Sequence, residues 1–133
     1  MNVRPVTCIL SVAFAWVSPG IAQTWPAKTI RLIVPFPPGG STDLMGRVLG
    51  AKFGEVFGQQ VIVENRPGAS GMIGNELVAR AAPDGYMLTM GTIGAMSVNM
   101  SLFKSVPYDS TRDFAPITLT GNVENLLVVH PSV

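Results

Sequence analysis

Small and hydroxyl-bearing residues recur in three short segments, and these are the residues that could bind an anionic ligand. The segments are residues 36–43, 65–71 and 91–94, all rich in Gly, Ser, Thr or Ala. Glycine lets a ligand approach the backbone amides closely, while Ser and Thr add hydroxyl donors. None of the segments contains Lys, and Arg66 is their only cation. Such a site would hold a carboxylate by hydrogen bonds and helix dipoles more than by ion pairing.

The same segments also have a purely structural interpretation, because Gly and Pro at the ends of strands commonly form turns and do nothing else. Asp43 illustrates the point, since a carboxylate beside an anion site would repel the ligand. Its position three residues after Gly40 suits hydrogen bonding to free backbone N–H groups at the start of a helix. We therefore expect a structural role for Asp43, and the spacing alone leaves both interpretations of the segments open.

The sequence does not contain the common enzymatic motifs at the spacing that each requires. The sequence has neither the phosphate-binding string Gly-x₄-Gly-Lys-Ser/Thr nor the Rossmann glycine pattern. The string GASG at residues 68–71 approaches the nucleophile elbow of hydrolases, but Met72 stands where that motif requires its second glycine. His130 is the only histidine, and Cys8 is the only cysteine. The sequence therefore predicts no catalysis, no metal site and no cofactor.

The elements that must position the three segments alternate between strands and helices. Apolar runs and helical spacing predict the order strand, helix, strand, helix, strand, helix, at residues 30–34, 44–57, 60–63, 72–82, 86–90 and 95–103. A last apolar run at residues 117–129 predicts one more strand. Short links between such elements give an α/β fold, a parallel sheet covered by helices. The three segments then lie at the carboxyl ends of the strands, where ligands bind in open sheets.

Each of the first two helices is predicted to bury an apolar stripe against the sheet. The stripes comprise Leu44, Val48, Leu49, Phe53, Val56 and Phe57 in the first helix, and Ile73, Leu77, Val78 and Ala81 in the second. The first helix also carries three glycines spaced four apart, at positions 46, 50 and 54. Each is unfavourable by up to about 1 kcal/mol relative to Ala. They indicate either close packing against the sheet or a weak helix.

Residues 1–22 have the layout of a secretory signal peptide, with Arg4, an apolar run, helix breakers, and small residues before a cleavage site after Ala22. The apolar run is shorter than the roughly 18 residues that span a bilayer, which argues against a membrane anchor. Arg4 is the only charged residue in this part, so the remainder has eight basic and eight acidic residues. That balance favours neither nucleic acid nor an anionic membrane as a partner. Cys8 lies too early to be a lipid attachment site.

Several longer strings resemble the Bug proteins, the substrate-binding components of tripartite tricarboxylate transporters. They are WPAKTIRLIVPFPPGGSTD at 25–43, VENRPGASG at 63–71, APDGY at 82–86, LFK at 102–104, VPYD at 106–109 and RDFAPI at 112–117. Several long motifs in register are far more specific than one glycine pattern, and together they cover nearly all of the chain after the leader.

The resemblance implies a type II periplasmic binding protein, whose two lobes close on a small organic acid. Family members deliver their carboxylate ligand to the membrane permease subunits of the transporter. By the same resemblance, residues 23–125 would be an incomplete first lobe, and residues 126–133 the start of a crossover to a second lobe that is missing here. The resemblance assigns ligand binding to Phe36, Gly39, Gly40, Ser41, Thr42, Ala69, Ser70 and Thr92.

Two alternatives to a transport role remain open at this stage. A periplasmic binding lobe can present its ligand to a signalling partner instead of a permease, and a shortened copy can be non-functional. The sequence does not distinguish among these roles, nor does it specify which carboxylate is bound.

The leader generates the first testable prediction. When the chain is expressed in a Gram-negative host, it should lose about 22 residues and accumulate in the periplasm, because its charged start, apolar run and small-residue cleavage site suit signal peptidase. N-terminal sequencing of the soluble product checks this expectation. A soluble product that still begins at Met1 would contradict it.

Overall fold

A computed structural model describes residues 24–122 and 128–132 of the chain. The predicted signal peptide lies outside the described residues. Three strands alternate with helices, as predicted. The elements are β1 (Ile30–Val34), α1 (Ser41–Phe57), β2 (Val61–Asn65), α2 (Met72–Ala79), β3 (Met87–Thr89) and α3 (Asn99–Leu102). A 3₁₀ turn at Ala69–Gly71 precedes α2, and a π-helical turn at Gly94–Val98 runs directly into α3.

The three strands form one parallel sheet with β1 in the centre, in the order β2-β1-β3. In the register, Leu32 pairs with Val63 of β2 and with Leu88 of β3. The chain leaves β1 toward β2 on one side and then crosses back to β3 on the other. As expected for this topology, α1 and α2 cover opposite faces of the sheet. The predicted α/β class is confirmed.

The α1 face of the sheet carries the apolar core. Leu32, Val34 and Met90 are buried there, and their partly buried neighbours are Phe36, Leu49, Val61, Val63 and Leu88. Alternate residues of the strands, including Arg31, Glu64 and Thr89, point to the α2 face. On that face Arg31 pairs with Glu64 through two hydrogen bonds of 2.6 and 2.8 Å, which tie β1 to β2. The central strand is therefore fixed on both faces.

The predicted apolar stripe of α1 is wrong in part, because the face of α1 turned to the sheet is built on glycine. Gly46 and Gly50 are buried, whereas Leu44, Val48 and Val56 are 60 to 67% exposed. Residues two apart differ by about 200° around a helix, so Leu44 and Val48 point away when Gly46 faces the sheet. Valine side chains of β1 and β2 occupy the space that the glycines leave. Leu49 and Phe53 flank this contact and are half-buried, as predicted.

The same correction applies to α2. Gly74 and Asn75 face the sheet and are buried, while Ile73 and Leu77 of the predicted stripe are exposed. Gly74 lies against Pro35, close enough that an added Cβ would be 2.9 Å from the proline Cβ. The carboxamide oxygen of Asn75 accepts a hydrogen bond of 2.8 Å from the Thr89 hydroxyl. Its nitrogen, which is buried, has no partner among the described residues.

The segment after β3 is helical, as predicted, and is anchored by Tyr108. The Tyr108 hydroxyl, which is buried, donates to the carbonyl oxygen of Ala95 at 2.7 Å. The predicted strand at residues 117–129 is wrong for residues 117–122, which have no regular structure. Ile117 and Leu119 are 76 and 83% exposed, and among the described residues no strand covers their apolar side chains. Residues 123–127 lie outside the described part. In the described ranges, no helix is long and apolar enough to cross a membrane.

The glycine contacts of α1 generate the second prediction. An added Cβ would lie 2.9 Å from a methyl group of Val34 at Gly46, and 2.9 Å from a methyl group of Val63 at Gly50. Because the Val34 side chain is buried and stiff, Gly46→Ala should lower the free energy of unfolding by about 1 kcal/mol or more. Urea denaturation measures the change.

Gly54 supplies the matched control, since the nearest atom to its added Cβ is 3.5 Å away. Gly54→Ala should therefore stabilise the protein by up to about 1 kcal/mol through helix propensity. Equal effects of the two substitutions would show that α1 does not pack on the sheet through Gly46.

Candidate functional site

The three predicted loops meet at one end of the sheet. Each follows the carboxyl end of a strand, and the reversal of strand order around β1 creates a topological switch point there. Gly71 marks the meeting place. A Cβ added to it would lie 3.2 Å from the Cβ of Ala95 and 3.4 Å from the ring of Phe36. Phe36 of the first loop, Gly71 of the second and Ala95, which directly follows the third, thus lie together at this point.

The first loop leads from β1 into α1 and presents its polar groups to solvent. Gly40 is the N-cap of α1, so the helix begins at Ser41, three residues before the predicted start, and Ser41 and Thr42 lie in its first turn. Gly39 has a φ of +88°, a conformation that favours glycine. Gly39, Gly40 and Ser41 are exposed, and Phe36 and Thr42 are half-buried. The first backbone N–H groups of α1 have no acceptor within the helix, which leaves them available to an anion.

Asp43 fixes the shape of this loop from within. Its carboxylate accepts hydrogen bonds from the Gly39 amide at 2.9 Å, from Asn65 at 2.9 Å, and from Arg47 at 3.0 Å. Asn65 also donates to the carbonyl oxygen of Phe36 at 3.1 Å. Asp43 is only 4% exposed. It therefore has the structural role expected from the sequence, although it binds the amide of Gly39 instead of capping the helix at Gly40.

These hydrogen bonds keep Asp43 ionised. The hydrogen bond from Arg47, followed by those from Gly39 and Asn65, lowers the pKa of the Asp43 carboxyl from 3.8 to about 2. Arg47 is accordingly committed to Asp43 and to the oxygen of Asn65, which it meets at 3.1 Å. Arg47 and Asn65 were both missed by the sequence analysis. The spacing of Asp43 and Arg47, four residues apart on one helix, could have indicated their ion pair, whereas nothing in the sequence indicates the partner of Asn65.

The second loop ends in a left-handed turn that we call the 68–71 turn. All four of its residues have positive φ, with values of 132°, 46°, 53° and 86° from Gly68 to Gly71. Ala69 and Ser70 are exposed, and Gly71 is buried at the start of α2. The carbonyl oxygen of Ser70 accepts a hydrogen bond of 3.1 Å from Asn99, which leaves the Ser70 hydroxyl on the surface. The predicted segment began at residue 65, but Asn65 is the last residue of β2.

Thr92 organises the third loop. Its hydroxyl accepts a hydrogen bond of 3.4 Å from the Ala95 amide, and its carbonyl oxygen accepts one of 2.8 Å from Met96. Thr92 is half-buried and starts the helical segment that continues into α3. Its hydroxyl is thus engaged in capping as an acceptor, and its hydrogen remains available as a donor.

Cations near the loops are already paired. The hydrogen bonds from Arg31, followed by the one from Arg66 at 3.1 Å, lower the pKa of the Glu64 carboxyl from 4.5 to about 2. A separate groove of about 510 Å³ lies between α2 and the sheet, away from the first and third loops. Its cations are Arg66 and Arg80, and Arg80 is paired with Glu76 at 2.6 Å. An anion at the loops would therefore meet amides and hydroxyls.

Across residues 24–122 and 128–132, no group of three or more His, Cys, Asp or Glu side chains is placed to hold a metal ion. His130 is exposed, and its Nδ1 lies 2.7 Å from the hydroxyl of Ser132, far along the chain from the three loops.

The third prediction concerns the Asp43 carboxylate. Asp43→Asn should lower the urea midpoint at pH 7, because the variant cannot accept all the hydrogen bonds that shape the first loop. The folded pKa of about 2 lies below the ordinary value of 3.8, so the contribution is complete above about pH 4 and is lost as the pH falls through about 2. The gap between the two proteins should close over that range.

Asp84→Asn is the control for this experiment, because Asp84 is an exposed carboxylate whose pKa is lowered by the Tyr86 amide and by Lys28. Its effect at pH 7 should be smaller, since exposed ion pairs contribute little. An Asp43→Asn gap that stays constant from pH 7 to pH 2 would contradict the proposed clamp.

The fold and these loops have counterparts in known proteins. Bordetella pertussis (strain Tohama I) contains "Protein BugT", which is 40% identical to this chain over 137 aligned residues. The match covers all of this chain and 42% of BugT. The chain thus spans less than half the length of this relative.

Two solved structures resemble the fold. The periplasmic binding protein BugD superposes with a TM-score of 0.66 at 39% identity, over 70% of this chain and 31% of BugD. MatC (Rpa3494) from Rhodopseudomonas palustris, with bound malate, gives a TM-score of 0.67 at 37% identity, over 69% of this chain and 31% of MatC. These matches confirm the predicted resemblance to part of a periplasmic binding protein.

The family profile described as "Tripartite tricarboxylate transporter family receptor" matches residues 45–133. That is a family of substrate-binding receptors and not of enzymes. Together with the fold and the relatives, the match shows that this chain belongs to the tripartite tricarboxylate transporter receptor family, which includes the Bug proteins.

Proposed function

We propose that this chain is the solute-binding part of a tripartite tricarboxylate transporter, and that it captures a small organic carboxylate in the periplasm for the membrane permease subunits. The observation that carries the proposal is the meeting of three loops at the switch point of the sheet, each with exposed or half-exposed amides and hydroxyls. The malate bound to MatC supports a carboxylate as the ligand class.

In this proposal the first turn of α1 is the main anchor of one carboxylate. Gly39 and Gly40 allow close approach, Ser41 and Thr42 supply hydroxyl donors, and the helix N-terminus supplies a partial positive charge. Ala69 and Ser70 would contribute from the second loop, Thr92 from the third, and Phe36 as an apolar wall. Charge-assisted hydrogen bonds of this kind contribute about 1.5 to 3 kcal/mol each.

The domain organisation remains a proposal as well. We assign residues 1–22 to export, residues 23–125 to the first lobe, and residues 126–133 to the start of the crossover. The far end of the acid would be bound by a second lobe, because the described loops provide only one wall of a cleft. Binding by this chain alone should accordingly be weak.

The fourth prediction is designed for weak binding. Titration of the ¹⁵N-labelled chain with malate, followed by amide chemical shifts, should perturb residues 39–42, 69–71 and 92 before any others. Dimethyl malate, which has no carboxylate, should leave those amides unchanged. The triple variant Ser41→Ala, Thr42→Ala, Ser70→Ala should weaken binding at least tenfold, since three donors to a charged group are lost.

Ser101→Ala is the matched control, because Ser101 is an exposed residue of α3 outside the three loops. It should bind malate as the parent does. The proposed site is wrong if malate perturbs mainly Arg66, Arg80 and their neighbours in the groove, or if the triple variant binds with unchanged affinity.

A further inference from the structure

The 68–71 turn is held in a conformation that its own residues do not favour. Ala69 and Ser70 both have a Cβ, yet they have φ values of 46° and 53°. For a residue with a Cβ the left-handed conformation is less favourable than the right-handed one, because the Cβ comes close to the carbonyl oxygen that follows it. Such a conformation persists only where surrounding contacts determine it.

Within the turn, one hydrogen bond supports this conformation. The Gly71 amide donates to the carbonyl oxygen of Gly68 at 2.9 Å. That bond uses the N–H of the peptide between Ser70 and Gly71, whereas the carbonyl oxygen of the same peptide has no partner within the turn. The Ser70 carbonyl therefore takes its hydrogen-bond donor from outside the turn, and that donor also helps to hold the whole planar peptide in place.

Asn99 supplies that contact. Its carboxamide nitrogen donates to the Ser70 carbonyl oxygen at 3.1 Å, across 29 residues of sequence. Asn99 is 3% exposed and sits in the first turn of α3. The position of this helical segment is itself fixed, because Tyr108 binds the Ala95 carbonyl oxygen and Ala95 lies against Gly71. The donor thus approaches the turn from a rigid support.

We infer that Asn99 is a positioning residue for ligand binding, one that holds the Ser70 carbonyl inward and so presents the exposed amide and hydroxyl groups of Ala69 and Ser70 to a carboxylate. The inference rests on the proposed function, since it assumes that the 68–71 turn binds the ligand. Asn99 does not itself touch the ligand in this account. The helical segment that follows the third loop thereby controls the geometry of the second loop.

The fifth prediction tests this role by NMR on the whole chain. In Asn99→Ala, the Gly71 amide should exchange with solvent roughly tenfold faster, as expected from the loss of one buried hydrogen bond. The Cα and Cβ shifts of Ala69 and Ser70 should move away from left-handed values. Malate affinity should fall about three- to tenfold because the turn is no longer preorganised.

Tyr108→Phe is the matched control, because it removes a buried hydrogen bond to the same helical segment without removing a partner of Ser70. It should destabilise the fold while leaving the shifts of Ala69 and Ser70 left-handed. Retention of left-handed shifts and of a protected Gly71 amide in Asn99→Ala would overturn the inference.

If Asn99→Ala is too unstable for spectroscopy, a double-mutant comparison of stability with Ala69→Gly replaces the NMR measurement. Ala69→Gly removes much of the left-handed strain, so Asn99→Ala should cost less stability in that background than in the parent. Strictly additive effects would overturn the inference.

The two proposals fail in different ways. If malate leaves the loops of the parent chain unperturbed, the proposed function fails. If the parent binds at the loops but Asn99→Ala binds equally well with a relaxed turn, only the positioning role of Asn99 fails.

Discussion

Direct contact between helices and strands at glycine positions is the constraint on which the site depends. Gly46 and Gly50 let α1 rest on Val34 and Val63, and Gly74 lets α2 rest on Pro35. With larger side chains at these positions, each helix would be displaced outward and its N-terminus would move with it. The first and second loops could not then converge on Gly71. The packing of the core therefore also determines the geometry of the loops.

Two polar contacts convert this packing into defined loop conformations. Asp43 gathers donors from Gly39, Arg47 and Asn65 around the first loop, and Asn99 directs the Ser70 carbonyl in the second. The charged and amide side chains in these two contacts are bonded to other groups of the protein. They are therefore not offered directly to the ligand. What remains exposed is backbone N–H groups and hydroxyls. Such a surface can bind a carboxylate while keeping desolvation of cations out of the binding reaction.

Sequence patterns predicted the order of elements, the parallel sheet and the three loops, because each depends on local periodicity and on turn residues. They were wrong in part for the buried faces of α1 and α2. There an apolar stripe and a glycine stripe compete on one helix, and only the shape of the sheet decides that Gly46 turns inward and Leu44 outward. The role of Asp43 was predicted from its distance to Gly40. Asn65 and Asn99 were not, because their partners lie 22 and 29 residues away, and long-range polar pairs leave no periodic signal.

We expect a carboxylate to bind at the meeting point of the three loops and not at the arginines of the groove. A crystal structure of the chain grown at saturating malate tests it most directly. The account predicts one carboxylate within hydrogen-bonding distance of backbone amides or hydroxyls in residues 39–42 and 69–71, with Asn99 still bonded to the Ser70 carbonyl. A carboxylate bound instead between Arg66 and Arg80, with the loops empty, would contradict it.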